Sequence, residues 1–188
     1  MNRALVVIDV QESFRQLPNW DEISSPDIAE RLAPLVEHAR ASGHRVVWVL
    51  HSEPGSDTPF DPATGHVRLL PGLHPADGEP VIHKTSHNAF TTTNLGQLLT
   101  RWGVLGIDVA GIRTEQCVET TARIGSDLGY DVRFVVDATA THPLRTADGG
   151  ATSPAQAVIE RTAAALQGRF ASVVTVAEVL APDQVLAS

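Results

Sequence analysis

The segment VLGIDVAGIRTEQCVETTARIGSDLG, residues 104–129, carries the reading on which the fold turns. Its first nine residues are an apolar run without alternation, the pattern of a strand covered on both faces. Its second half changes period, and residues 115–128 read as a helix closed by Gly129 just past the last turn. A buried strand passing into a helix through a few residues is half of a parallel βαβ unit. The same alternation recurs on both sides. Apolar runs stand at residues 4–9, 45–50, 80–83, 132–137 and 172–176. Residues 26–42 have helical periodicity, with Ser25-Pro26 as cap and first turn and Gly43 as stop, and residues 94–102 carry a second apolar stripe. Ser153-Pro154-Ala155-Gln156 reads as a capping box opening a helix that runs to about Gly168. Six buried runs alternating with helices predict a doubly wound α/β fold, a parallel sheet with helices on its faces.

The chain has 188 residues, enough for one domain (1–188) with a sizeable core. Segment 51–79 is rich in Pro, Gly, His and Asp, is too long for a plain connection, and is read as a functional loop or lid. Cys117 is the only cysteine, so no internal disulfide forms and nothing argues for an oxidising compartment. The apolar run near the N-terminus covers only residues 4–10 and is broken by Asp9, too short for a signal peptide; the expected location is cytoplasmic. Fourteen basic against 22 acidic residues give a net charge of −8, which works against nucleic acid or anionic membranes as partners. A small-molecule substrate is the expected partner.

In open parallel sheets, ligands bind beyond the carboxyl ends of the strands. Asp9 closes the first run, Lys84 follows the third, Cys117 lies just past the fourth, and Asp137 closes the fifth. With Thr114 as N-cap, Cys117 falls at the third helical position. There the helix dipole and unpaired N–H groups would favour thiolate over thiol, and a nearby lysine would favour it further. If the strand order begins 3-2-1-4, Asp9 and Cys117 leave neighbouring strands. Lys84 is then two strands from the first, about 10 Å away, within reach of a loop and a four-carbon stem. Acid, ammonium and thiol together make an activated nucleophile.

Four stretches, LVVIDVQESF (5–14), HKTSHNAFTTTNLGQLL (83–99), GIDVAGIRTEQCVETTAR (106–123) and GYDVRFVVDATAT (129–141), carry a resemblance. Together they resemble the isochorismatase-like cysteine hydrolases, a family that includes nicotinamidases, N-carbamoylsarcosine amidohydrolases, and ureidoacrylate and biuret hydrolases. The resemblance implies a three-layer α/β/α sandwich, Rossmann-like, around a six-stranded parallel sheet of order 3-2-1-4-5-6. It places the catalytic triad on Asp9, Lys84 and Cys117. It further implies a cis peptide between Ile112 and Arg113 and an oxyanion hole formed by the backbone N–H groups of Arg113 and Cys117. The implied chemistry is hydrolysis of a C–N bond in a small amide, carbamoyl compound or ureide through a thioester. Homodimers or homotetramers are implied as well.

Departures from the family's patterns matter. Nicotinamidases carry an Asp-x-His metal motif after the second strand, but His51 has no aspartate two residues before it. His83 and His87 have i,i+4 spacing but straddle a strand end, so no metal and no cofactor is assigned. Candidate pocket residues are Gln11, Phe14, Trp20, Phe60, His87, Asn88 and Phe90. Three alternatives stay open: vinyl-ether hydrolysis without a nucleophile, a thiol redox sensor, and an idle binding domain on the same fold.

Overall fold

Six strands pair in parallel into one sheet: β1 (Arg3–Ile8), β2 (Arg45–His51), β3 (Val81–Lys84), β4 (Gly106–Ile112), β5 (Asp131–Ala140) and β6 (Ser172–Val174). Their order is β3-β2-β1-β4-β5-β6, the order the family resemblance implies. The computed structural model describes residues 1–149 and 152–181; the remaining residues of the 1–188 span lie outside the description. Between the strands stand α1 (Glu12–Arg15), α2 (Ile28–Ala41), α3 (Leu95–Arg101), α4 (Glu119–Asp127) and α5 (Ala155–Leu166), and α6 (Val176–Leu180) follows β6.

The layers follow from strand alternation. Leu5 and Val7 of β1 join Val46 and Trp48 of β2 on one face, under Ile28, Leu32 and Leu35 of α2 and Val179 of α6. Ala4, Val6 and Ile8 join Val47 and Val49 on the other face, under Leu95 and Leu99 of α3, Ala122 of α4 and Leu166 of α5. With both faces covered, every β1 side chain is buried, which is why the run has no polar phase. Each such Val, Leu or Ile contributes roughly 1.5–3 kcal/mol of transfer free energy.

Several local expectations are corrected. Asp137 does not end its strand, because β5 runs on to Ala140, and its carboxylate accepts from Val176 N at 2.7 Å. The run 172–176 is split: β6 stops at Val174, and Thr175 caps α6 in a capping box with Glu178. The Ser153 capping box does not form. Ser153 pairs with Leu144 in a short antiparallel ribbon, and α5 starts after Pro154 without a side-chain cap. Likewise α2 begins at Ile28 rather than at Pro26.

Segment 51–79 is tied down along its length. Leu70 N donates to Val10 O at 3.0 Å, and Glu12 N donates to Arg68 O at 2.8 Å. Glu79 accepts from Arg40 Nε at 2.8 Å and from Trp48 Nε1 at 2.8 Å.

The chain turns outward in both directions from β1, so the switch point lies between β1 and β4, with Ile8 opposite Gly111. Gly111 has φ +133°, and a Cβ there would overlap the carbonyl oxygen of Ile8. Only glycine lets the two backbones approach this closely. Gly111→Ala is therefore expected to cost on the order of 3 kcal/mol or more in urea unfolding, with hydrolytic activity lost in whatever fraction still folds.

Candidate active site

Asp9 is the first residue past β1. Its φ of 54° is left-handed, a conformation aspartate tolerates better than most residues but rarely adopts without cause. Asp9 N donates to Val49 O at 2.8 Å, and Asp9 O accepts from Gln11 N at 2.9 Å, which fixes the turn. Lys84 is the last residue of β3, and its side chain reaches past the end of β2 to bring Nζ within 2.8 Å of Asp9 Oδ2. Both residues are 0% exposed.

The ammonium also lies within hydrogen-bonding distance of Cys117 Sγ (3.3 Å), Ser86 O (3.1 Å) and His51 Nδ1 (3.3 Å). The contact with Asp9 is a close, fully buried ion pair.

Cys117 sits in a π-helical turn, Thr114–Val118, that precedes α4, and the sulfur-bearing residue is 7% exposed. Thr114 does not cap this turn. Its hydroxyl is buried and donates to Thr139 Oγ1 on β5 at 2.9 Å, leaving Arg113 in the cap position. Thr121 Oγ1 donates to Cys117 O at 2.7 Å and accepts from Ala89 N at 3.0 Å, anchoring the turn. The peptide between Ile112 and Arg113 is cis.

Electrostatics correct the expected thiolate. Burial, and then the negative charge of Asp9, push the Cys117 thiol up to about 12, against the pull of Lys84. Burial also raises the Asp9 carboxyl above its ordinary value, opposed by Lys84. At rest the sulfur is a neutral thiol beside a carboxylate made more basic by its surroundings. A helix end does not override this, because a first turn's dipole is worth far less than removing the sulfur from water.

His51 completes the arrangement. An ammonium only donates, so His51 Nδ1 must accept from Lys84, which puts the ring proton on Nε2, 3.1 Å from Glu53 Oε1. Thr58 Oγ1 holds the other Glu53 oxygen at 3.1 Å. Gln11 clamps the His51 backbone from both sides: Oε1 accepts from His51 N at 2.7 Å and Nε2 donates to His51 O at 3.0 Å. Neither His51, Glu53 nor Ser86 is among the site residues read from the sequence. His51 had a signal, since it ends β2 as Asp9 and Lys84 mark the ends of β1 and β3, but the missing Asp-x-His motif drew attention only to metals.

Of the pocket candidates, Phe14 and Phe60 meet edge-on at 5.0 Å, and Phe60 meets the His51 ring at 5.7 Å. Gln11 is buried, held by Ser13 and the His51 backbone. Trp20 stands at the rim of the α2 layer and lines a separate cavity of about 240 Å³ with Pro26 and Leu70. The remaining three belong to the turn after β3. His87 is exposed. Asn88 Oδ1 accepts from Phe90 N and Thr91 N, both at 2.9 Å, and the Phe90 ring stacks on Tyr130 at 5.9 Å. Among the described residues no group of three or more His, Cys, Asp or Glu side chains is arranged to hold a metal ion.

Comparison with known proteins matches residues 3–178 to the isochorismatase domain family. A streptothricin hydrolase of Streptomyces noursei is 36% identical over 86% of this chain and 63% of its own length. The ureidoacrylate amidohydrolase RutB of Methylorubrum extorquens is 28% identical over 72% of this chain and 68% of its own. The crystal structure of a cysteine hydrolase from Pseudomonas syringae superposes with a TM-score of 0.86 at 26% identity, covering 95% of this chain and 91% of that one.

Two outcomes follow from the geometry. Alkylation of Cys117 by iodoacetamide should rise with pH well into the alkaline range in the wild type. In Asp9→Asn, which removes the charge that raises the thiol, the rise should move to lower pH; an unchanged profile would show that Asp9 does not act on the sulfur. Removing the acceptor for Lys84 in His51→Ala should lower kcat by roughly 10- to 100-fold, as expected for a hydrogen bond to a charged group. His51→Asn, whose Oδ1 can accept near the place of Nδ1, should recover part of that loss.

Proposed function

The chain belongs to the isochorismatase domain family and is a hydrolase, and from this we propose that it is a cysteine-dependent enzyme cleaving the C–N bond of a small amide, carbamoyl compound or ureide. The observation that carries the reading is the placement of one neutral thiol beside a buried carboxylate of raised basicity, with a single ammonium 2.8 Å from the acid and 3.3 Å from the sulfur. The relatives named as amidohydrolase and cysteine hydrolase agree with it.

In this reading Asp9 takes the thiol proton as Sγ of Cys117 attacks the carbonyl carbon. The backbone N–H groups of Arg113 and Cys117 hold the tetrahedral oxyanion, and Lys84 steadies the charge passing between acid and sulfur. Protonated Asp9 then gives its proton to the departing nitrogen, the C–N bond breaks, and a thioester remains. Water, deprotonated by Asp9, attacks the thioester, expels the sulfur, and leaves carboxylic or carbamic acid. His51, held by Glu53, positions Lys84 and does not touch the substrate. The partner is a small molecule, and the enzyme works as a homodimer or homotetramer. Among the described residues no helix is long and apolar enough to cross a membrane.

Because the base must be ionised, kcat/KM should fall on the acid side of the profile, with a midpoint above the ordinary aspartate value of about 3.9. The test is ammonia release over a panel of small amides and ureides, with intact-mass detection of an acyl adduct. A covalent adduct on Cys117 is expected, together with losses of roughly 10²- to 10⁴-fold in Asp9→Asn. Turnover that survives Cys117→Ala would instead favour vinyl-ether hydrolysis and overturn the reading.

A further inference from the structure

Threonine is a middling helix former, yet Thr121 stands one turn past the cysteine, in the first turn of α4, and is 0% exposed. Its hydroxyl bonds on both sides. Oγ1 donates to Cys117 O at 2.7 Å and accepts from Ala89 N at 3.0 Å. The first bond stays within the stretch that carries the sulfur, a back-bond of the kind threonine makes to the carbonyl four residues before it. The second crosses to the turn that follows β3. Thr114 differs, since its hydroxyl goes to Thr139 on β5 and fixes the cysteine's turn against the sheet rather than against the lysine.

The turn after β3 is the mount of Lys84. Ser86 O accepts from the ammonium at 3.1 Å, Ser86 Oγ donates to Asn88 O at 2.8 Å, and Ala89 follows, fully buried. The contacts close a ring. It runs from Lys84 Nζ through Ser86 and Asn88 to Ala89, across Thr121 to Cys117, and back from Sγ to Nζ at 3.3 Å. Within this ring Thr121 is the one link between the two turns besides the nitrogen–sulfur contact itself. The lysine's turn has other supports of its own. Asn88 Oδ1 accepts from Phe90 N and Thr91 N, Thr92 Oγ1 accepts from Thr85 N at 3.0 Å and Ser86 N at 3.1 Å, and Phe90 stacks on Tyr130. Loss of the Thr121 hydroxyl therefore leaves that turn folded but releases its Ala89 end from the cysteine.

We propose that Thr121 is a positioning residue, whose hydroxyl ties the lysine's turn to the cysteine's turn and so sets the separation at which Lys84 acts on the Cys117 sulfur. The inference rests on the reading of Cys117 as nucleophile and Lys84 as its charge partner, and deepens it. With no exposed surface, Thr121 meets no substrate and acts through these two residues. The separation matters because the attraction between an ammonium and a developing thiolate falls with distance and is strongest where water is excluded. Burial and Asp9 push the thiol up, and Lys84 is the group that pulls it down.

The test is the rate of Cys117 alkylation by iodoacetamide across pH, with hydrogen exchange at the Ala89 amide, in Thr121→Val and Thr121→Ser. Valine keeps the shape and removes both bonds, whereas serine keeps both. In Thr121→Val the Ala89 amide should exchange at least about tenfold faster. Alkylation should be about threefold slower along the rising limb of the profile, because a rise of about one pH unit in the thiol removes tenfold of the thiolate while making the remainder more nucleophilic. Serine should restore most of both. The direction separates positioning from packing: a turn that merely came loose would admit water to the sulfur, ease its ionisation and speed alkylation. Ser86→Ala opens the next link of the ring at a half-buried place where folding is not at stake. It should slow alkylation by a smaller factor, and it decides the matter if the valine variant does not fold. Alkylation that is unchanged or faster in Thr121→Val, or in Ser86→Ala where that variant must serve, overturns the proposal, as does slowing that serine leaves in place. The two readings fail separately, since alkylation needs no turnover. Unchanged alkylation in Thr121→Val beside an acyl adduct on wild-type Cys117 removes the positioning role alone. Slowed alkylation beside turnover that survives Cys117→Ala removes the thioester reading alone.

Discussion

Lys84 and Asp9 are two full charges with no exposed surface, 2.8 Å apart. Taking either from water alone would cost several kcal/mol, and breaking such a pair on one side leaves the other charge uncompensated. The pair is tolerable only because each charge holds the other and because Ser86 O and the His51 ring take two of the ammonium's protons. Those partners come from β3's following turn and from the end of β2, while Asp9 comes from β1 and the sulfur from beyond β4. One ionic contact thus requires four strand ends to lie side by side, which only a sheet ordered β3-β2-β1-β4 supplies.

The same contact explains why so much polar structure surrounds so few reacting atoms. His51 can accept from Lys84 only while its Nε2 proton has an acceptor, which is Glu53, and only while its backbone is held, which is the task of Gln11. Glu53 is steadied by Thr58 and by its N–H to Phe60 O at 2.8 Å. Segment 51–79 therefore acts as a wall built against the lysine. Its Phe60 ring packs edge-on against Phe14 and against the His51 ring.

Cys117 shows how far local sequence can mislead about reactivity. A cysteine in a first helical turn suggests a ready thiolate, yet the folded protein holds it as a thiol. Burial and a neighbouring carboxylate outweigh the helix end, and neither can be read from the residues on each side of the sulfur. The misread caps share that character. Thr114 and Ser153 have side chains suited to capping, but Thr139 on β5 takes the hydroxyl of Thr114, and Leu144 pairs with the backbone of Ser153. Thr175, inside what looks like one apolar run, caps α6 instead.

The sequence by itself determined the six strand positions, the helices between them and the strand ends near which Asp9, Lys84 and Cys117 stand, although the edge strands β3 and β6 are not covered on both faces. Periodicity and unbroken β-branched runs are local consequences of being covered on two faces, so they survive in the order of residues. Resemblance to a known family supplied the strand order and the cis bond. What only the tertiary structure decided were the hydrogen-bond partners and the charge states. The tautomer of His51, the neutral thiol and the buried pairing of Asp9 with Lys84 all depend on residues far apart in the chain meeting without water between them. Desolvation is a property of the packed interior, and no stretch of residues carries it alone.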